Sequence, residues 1–589
     1  MKKILKTSLI TAVIMTAVLT TVLVVLSKRE ASKAVTSELD LISETKGKDD
    51  FDEGASKKLH IGKEGEILSL GKKEITDIYN KKKSKKIEDK IERLKKARSY
   101  TFEKPLFIWN PYGTNDLCMY YSYKDDESTY IKYTIQVDDT DIPDFTRVLN
   151  THTEGNTTRN HEYLITGFVP GYQNKLIVRR YHSNGELASK AYFQFYVDKL
   201  TEPVKTKLTY RETRNTSELS NGLFVICGYH VGDTKAPAVI PFYDNSGILR
   251  SAIPLVNYRT DKIEFVNGNM IYSYSNKQFA EVAPIGKVMN TYSLKNYRLH
   301  HDFTYNGYGQ LWCLASDSND RTTEKDCVVS IDMDNGKVTK LVDFKTLLPG
   351  MRRDAAKADS TRPLNWIELN SIVRVGSSDI IVSSRELSTI IKVNSVTSVS
   401  PRIGYLIADS AIWKHTKYKK YLLTKGAYVN EKWYNLGGDT EEAAKEDGVE
   451  DFTCQFGQNS VDYKLGSKLG EQQYYLTMFN NNYGFAKTLP DVKWSSFAGV
   501  GKKGKEAESS RFYEYIVDEK AGYYGMNRSF GVSYSSQGGN AYWNGMNTIV
   551  SSMDGKLFGE YDENGRLIRE FSLKAYRVYK YDFKNYWFY

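Results

Sequence analysis

At several places in this chain a run of apolar and β-branched residues stops at a polar corner closed by glycine and then resumes. Examples are Asp244-Asn245-Ser246-Gly247-Ile248, Ile285-Gly286-Lys287-Val288, Asp334-Asn335-Gly336-Lys337-Val338 and Asp562-Glu563-Asn564-Gly565-Arg566. Asp and Asn side chains bond their own backbone two residues on, and glycine accepts a positive φ, so each corner reads as a hairpin turn between strands. The first three lie roughly 40 to 50 residues apart, the length of one four-stranded propeller blade. The 44 tyrosines and 42 glycines agree with β-structure, and 589 residues exceed what one domain usually holds.

Residues 362–393, RPLNWIELNSIVRVGSSDIIVSSRELSTIIKV, sharpen this reading. Three short strands are expected at 365–375, 380–385 and 389–393, joined as a meander, because β-branched residues crowd the later two and turn residues separate them. NWIELNSI followed by DIIVSSRELSTIIKV resembles the bacterial aryl-sulfate sulfotransferases, which move sulfuryl groups between phenols without a nucleotide sulfate donor. The resemblance implies a sulfate-accepting histidine in the pattern Trp, apolar, His, apolar, Asn, Ser; Glu368 occupies its place. Asn110-Pro111-Tyr112-Gly113, the 161–174 segment and the closing run KLFGEYDENGRLIREFSLKAYRVYKYDF are similar to the same family. The implied fold is all-β: an N-terminal β-sandwich followed by a six-bladed β-propeller, preceded by a transmembrane helix and a charged helical stalk.

The domain reading runs 1–29 signal anchor, 30–100 charged stalk, 101–203 small β-sandwich and 204–589 β-propeller. Residues 7–27 carry no charge and are long enough to span a bilayer, with Lys2, Lys3 and Lys6 before them and Lys28 and Arg29 after. A cleaved signal peptide and an uncleaved anchor are the two readings. VVLSKREAS offers no small-x-small cleavage site, which favours the anchor, a single-pass cell-membrane setting and an extracytoplasmic body. Residues 30–100 are polar and poor in aromatics, so no packed domain is expected there, while Ile75, Ile78, Tyr79, Ile87, Ile91 and Leu94 recur near helical spacing and suggest a helix lying against something or pairing with itself. The net charge of +10 is concentrated in the lysines of 72–96, and that stretch, with Tyr79 its one aromatic residue, lacks the aromatic-and-basic interleaving of a nucleic-acid stacking platform. Residues 348–362 and 437–451 read as polar insertions over one propeller mouth.

Sulfuryl transfer needs a nucleophile, donors around the sulfate oxygens and a base for the acceptor hydroxyl. Imidazole serves as the first and the last. Of eight histidines, His300-His301-Asp302 in LHHDFTYNGYGQLWCLASD resembles the family's His-His-Asp, which makes one of the pair a candidate catalytic group; the alternative is a buried structural histidine beside an exposed one. Arg321 in SDSNDRTTEKD is similar in position to the family's sulfate-binding arginine, against a surface ion pair with Glu324 or Asp326. Arg385, closing VSSR, is a second arginine for the pocket. A carboxylate attacking sulfur yields only an acyl sulfate and repels the donor beforehand, so Glu368 changes the chemistry. In FTCQFGQNSVDY, Asn459 stands where relatives carry histidine, and an amide cannot shuttle a proton. Trp366, Asn370, Arg385 and Asn459 are the substrate-binding candidates; His300, His301, Arg321 and Glu368 are the catalytic ones.

His230 and His415 are lone histidines that read as structural. The five cysteines have no metal-ligand spacing; Cys313 and Cys327 could bridge a hairpin or remain buried thiols. Residues 499–505, GVGKKGK, lack the hydroxyl after lysine that a phosphate loop requires. No cofactor is expected. The implied partners are a small aromatic sulfate ester and a phenol acceptor, with the membrane through residues 7–27 and no nucleic acid. Two function classes follow: an extracytoplasmic aryl sulfotransferase with altered chemistry, or a catalytically silent propeller binding an aromatic or anionic ligand or a neighbouring protein.

Overall fold

The computed structural model describes residues 38–43, 56–58, 67–70, 73–200, 204–213, 218–229, 238–256, 258–436 and 449–589. The expected anchor at 1–29, His60, His230 and most of the 437–451 insertion lie outside the described residues. No helix among the described residues is long and apolar enough to cross a membrane.

The N-terminal unit is an Ig-like sandwich organised by one long strand, Cys118–Val137. Its first half pairs with Leu106–Trp109 and Thr158–Thr166, its second half with Gln173–His182 and Phe145–Val148. The stalk expectation requires correction. Strand Ile67–Ser69 pairs in parallel with Leu106–Trp109, and Glu38–Ser43 pairs with Leu187–Tyr196. Helix Lys81–Ala97, capped by the Asn80 side chain, buries Ile91 and Leu94 against Leu106, Ile108 and Tyr120. The helix expected from the apolar spacing is present and lies against the sandwich, so this stretch belongs to the folded body rather than to a free stalk.

Six four-stranded blades follow among the described residues. Blade 2 runs through Ile263–Val266 to Val288–Ser293, blade 3 through Tyr297–Tyr305 to Val338–Asp343, and blade 4 through Leu369–Val375 to Arg402–Ile407. Blade 5 spans Asn459–Lys464 to Tyr523–Val532, and blade 6 spans Asn540–Trp543 to Leu567–Ser572. Blade 1 is composite: the C-terminal strand Ala575–Tyr581 forms its inner edge and pairs antiparallel with Leu223–Tyr229, which continues to Val239–Tyr243 and Leu249–Pro254. Strand Tyr210–Glu212 adds to the outside of blade 6, so both chain ends stitch the ring closed. The Lys580 ammonium, fully buried, locks this seam by donating to Glu560 at 2.5 Å and to the Ser220 carbonyl at 2.7 Å.

Middle strands such as Cys327–Asp332 are buried on both faces and read as continuous apolar runs, whereas outer strands such as Val338–Asp343 are largely open to solvent and carry lysine, which blunts an open edge. In the 362–393 stretch the observed strands are Leu369–Val375, Asp379–Ser384 and Thr389–Asn394; the first starts later than expected because the chain turns through Glu368 at φ +43°. The 348–362 insertion is not a loop throughout, since Pro349–Ala358 is helical and buries Met351 and Ala355. All five cysteines are free and buried, including Cys313 and Cys327. The sandwich is fixed to blade 1 by Arg250, which donates to the Pro143 and Gly167 carbonyls and pairs with Asp244.

Candidate active site

The inner strands of three successive blades break register at the same level of the hub. The irregularities fall between Leu299 and Phe303, Leu369 and Ser371, and Asn459 and Asp462. Each comes with a non-glycine residue in the left-handed region: His301 at φ +61°, Glu368 at +43° and Ser460 at +52°. Such conformations cost energy and persist where surrounding packing enforces them, and bulges re-aim side chains near functional sites. One consequence is visible at once. Consecutive strand residues normally face opposite sides, yet the His300 and His301 rings lie 5.3 Å apart, edge to face.

His301 Nδ1 accepts from Arg259 Nη2 at 3.0 Å and lies 2.8 Å from the Tyr576 hydroxyl. A guanidinium has no lone pair to offer, so Nδ1 is the unprotonated nitrogen and the neutral ring carries its proton on Nε2. That N–H is buried without a partner, as are both nitrogens of His300. Burial first, then Lys325, pushes His300 down to about 3. Burial first, then Arg259, holds His301 far below the usual imidazole range. Both rings are therefore neutral across physiological pH. Arg259 lies 3.9 Å over the Tyr576 ring and is anchored by Asp261 at 3.0 Å.

Glu368 meets two cations. Its Oε1 is 3.4 Å from Lys325 Nζ and its Oε2 is 3.5 Å from Arg385 Nη1. Arg385 also donates to the Ser536 carbonyl at 3.1 Å, and its Nε–H is buried without a partner. The field of Lys325 reaches both histidines and that of Glu368 reaches Tyr576, so the two groups form one cluster.

Six of the residues singled out in the sequence come to this cluster: His300, His301, Glu368, Arg385, Asn370 and Asn459. Asn459 sits 3.4 Å from the Tyr576 hydroxyl and donates to Asn481; Asn370 donates to the Gln458 carbonyl at 2.7 Å. Arg321 does not come to it. It is exposed on the loop after strand Gln310–Asp317, and the cation that enters from this loop is Lys325, four residues on and turned inward at φ +57°. Trp366 is fully buried in the apolar core rather than at the hub, and its indole N–H donates to Asp326 at 3.1 Å, clamping the loop that carries Lys325 to the loop that carries Glu368. His415 is exposed.

Arg259, Lys325, Tyr576 and Arg577 were not anticipated. Arg577 is completely buried; it bonds the His301 and Asn370 carbonyls and lies 3.5 Å from Asp302. An arginine in the apolar alternation of AYRVYKY is a signal in itself, because a buried guanidinium requires several acceptors. Arg259 and Lys325 sit in polar segments with no periodicity to point them inward.

The cluster can hold an oxyanion. Guanidinium and ammonium groups stand beside neutral imidazoles, and several buried donors are unspent. No curated protein matches the chain. Among solved structures, a putative 6-phosphogluconolactonase from Bacteroides uniformis is 8% identical over 77% of this chain and 99% of its own, at a TM-score of 0.31. Another from Bacteroides fragilis is 10% identical over 62% and 99%, at 0.32. A virginiamycin B lyase from Staphylococcus aureus is 9% identical over 64% and 89%, at 0.29. TM-scores this low carry no weight for fold or chemistry. Family matches are more direct: residues 106–194 match the arylsulfotransferase Ig-like domain, and residues 209–579, more than half of the chain, match the arylsulfotransferase (ASST) domain. The chain belongs to the arylsulfotransferase family.

Proposed function

We propose that the hub binds an aromatic sulfate ester and passes its sulfuryl group to a phenol through the His300–His301 pair, with residue 368 excluded from the covalent step. The observation that carries this reading is the set of unspent buried nitrogens: both of His300, Nε2 of His301 and Nε of Arg385. In this mechanism Arg385 and Lys325 hold sulfate oxygens. A lone pair of neutral His300 attacks sulfur as the S–O(aryl) bond breaks, and the departing phenolate accepts a hydrogen bond from His301 Nε2–H. The acceptor phenol then gives its proton to the donor phenolate held at His301 Nε2–H as its oxygen attacks sulfur, and His300 leaves with the electron pair of the breaking N–S bond. The apolar residues 7–27 support an extracytoplasmic setting on the membrane.

A second reading rests on Glu368. Its carboxylate already neutralises Lys325 and Arg385, which suits a propeller that binds ligand without turnover. Incubation with a chromogenic aryl sulfate and a phenol separates the two. Turnover lost in His300→Ala and retained in Glu368→Gln supports transfer; ligand binding without turnover in the wild type and in Glu368→His selects the silent propeller.

A further inference from the structure

The hub also holds a cavity of about 260 Å³ apart from the histidine cluster. In the inner segments of five blades the cluster residues precede those lining it: Arg259 before Lys262 and Glu264, His301 before Asp302, Asn370 before Ile372, Asn459 before Asp462, and Tyr576 before Tyr579 and Tyr581. Because the inner strands of a propeller run in the same direction, the cavity lies toward the opposite mouth. The Arg577–Asp302 pair stands between this cavity and the histidine cluster.

Three phenol rings and Phe265 wall this chamber. Tyr542 and Tyr579 meet edge to face at 5.4 Å, Tyr579 and Tyr581 lie 6.1 Å apart, and Phe265, partly exposed, sits 5.8 Å from Tyr581. The charges do not cancel. Lys262 is committed to Glu264 at 2.8 Å, and Asp302 is committed to Arg577 and to the amides of Phe303 and Ile372. Asp462 accepts only the Tyr463 amide through Oδ1, and no cation among the described residues stands within ion-pair distance of it. Burial pushes the Asp462 carboxyl up and the field of Lys262 draws it down, and its ionised form adds one net negative charge beside aromatic rings, the combination that recognises ammonium ions.

We propose that this rear chamber binds a small organic cation, an alkyl- or arylalkyl-ammonium, with its charge against Asp462 and its carbon skeleton against Tyr542, Tyr579 and Tyr581. The site is chemically opposite to the anion-binding cluster. Calorimetric titration of the full-length protein with tetramethylammonium and phenethylammonium, and with sodium sulfate as the counter-probe, tests it. Saturable ammonium binding is expected, about tenfold or more weaker in Asp462→Asn. Lys262→Met should tighten it, because the chamber loses its own cation and Glu264 is freed. Should Asp462→Asn not fold, the direction of the Lys262→Met effect decides. Absence of saturable ammonium binding, equal binding by Asp462→Asn, or sulfate binding abolished by Lys262→Met overturns the proposal. His301→Ala should leave ammonium affinity unchanged, so a failed sulfuryl-transfer assay does not bear on it.

Discussion

Neutralising Glu368 is the sharpest perturbation of the hub. The carboxylate lies 3.4 Å from Lys325 and 3.5 Å from Arg385, and any sulfate oxygen that takes those cations must come within about 5 Å of it. Two unit negative charges at that separation repel by about 3 kcal/mol at an effective dielectric of 20. The side chains involved are 19–25% exposed, so solvent screens part of this and about 1–2 kcal/mol remains. Glu368→Gln keeps the shape and removes the charge. It should tighten binding of an aryl sulfate by about 5- to 30-fold at neutral pH and low salt, measured by calorimetry with 4-nitrophenyl sulfate. The same variant leaves two cations without a counter-ion and should lower the unfolding free energy by about 1 kcal/mol. Unchanged or weaker aryl sulfate binding in a folded Glu368→Gln protein would refute the assignment of Lys325 and Arg385 to the sulfate.

Other outcomes follow from the same geometry. Tyr576→Phe removes one of the two donors to His301 Nδ1 and should reduce turnover by about tenfold while the fold persists, seen as a lower kcat with an unchanged thermal midpoint. Arg321→Ala should leave activity and stability within error, since its side chain is exposed, whereas Lys325→Ala should weaken sulfate-ester binding. His300 is held at about 3, below its unfolded value of 6.5, so its contribution to stability is complete above pH 6.5 and is lost as pH falls toward 3. Urea titrations should show about 2 kcal/mol lost between pH 6.5 and pH 5 from this group alone, and less in His300→Asn. Lys580→Met strands the buried Glu560 carboxylate and should cost about 3–5 kcal/mol by denaturant titration, the largest single effect at the blade seam.

The architecture was legible because hairpin corners repeat at blade spacing and apolar strands alternate between them. Asp244-Asn245-Ser246-Gly247 forms its expected turn, with Gly247 at φ +72° and the Ile248 amide bonded to the Asp244 side chain. The helix in the lysine-rich stretch was legible from the spacing of Ile87, Ile91 and Leu94, but the polar average composition gave no sign that it and strand Ile67–Ser69 pack onto the sandwich. At the site, residues inside strongly patterned segments were found, namely His300, His301, Glu368 and Arg385. Arg321 is expected from its positional resemblance to the family's arginine and Lys325 is not, because a loop has no period and only the backbone turn at residue 325 shows which cation points inward. Trp366 is a candidate as a member of the resembling Trp, apolar, His pattern, but the left-handed turn at 368 separates the directions of the two side chains.

The seam of the ring bears on biogenesis. Ser220 and Lys580 are 360 positions apart, and the strand that carries Lys580 also delivers Tyr576 and Arg577 to the hub. Blades 2 to 5 can each pair their strands as they emerge, but the imidazole pair gains its phenol neighbour and its guanidinium floor only when the last strand arrives. Chains interrupted during synthesis thus hold most of their mass in native blades yet possess no complete hub, and loop closure over that distance is slow. Quality control that recognises the unpaired edge of Leu223–Tyr229 would in effect be monitoring assembly of the histidine cluster.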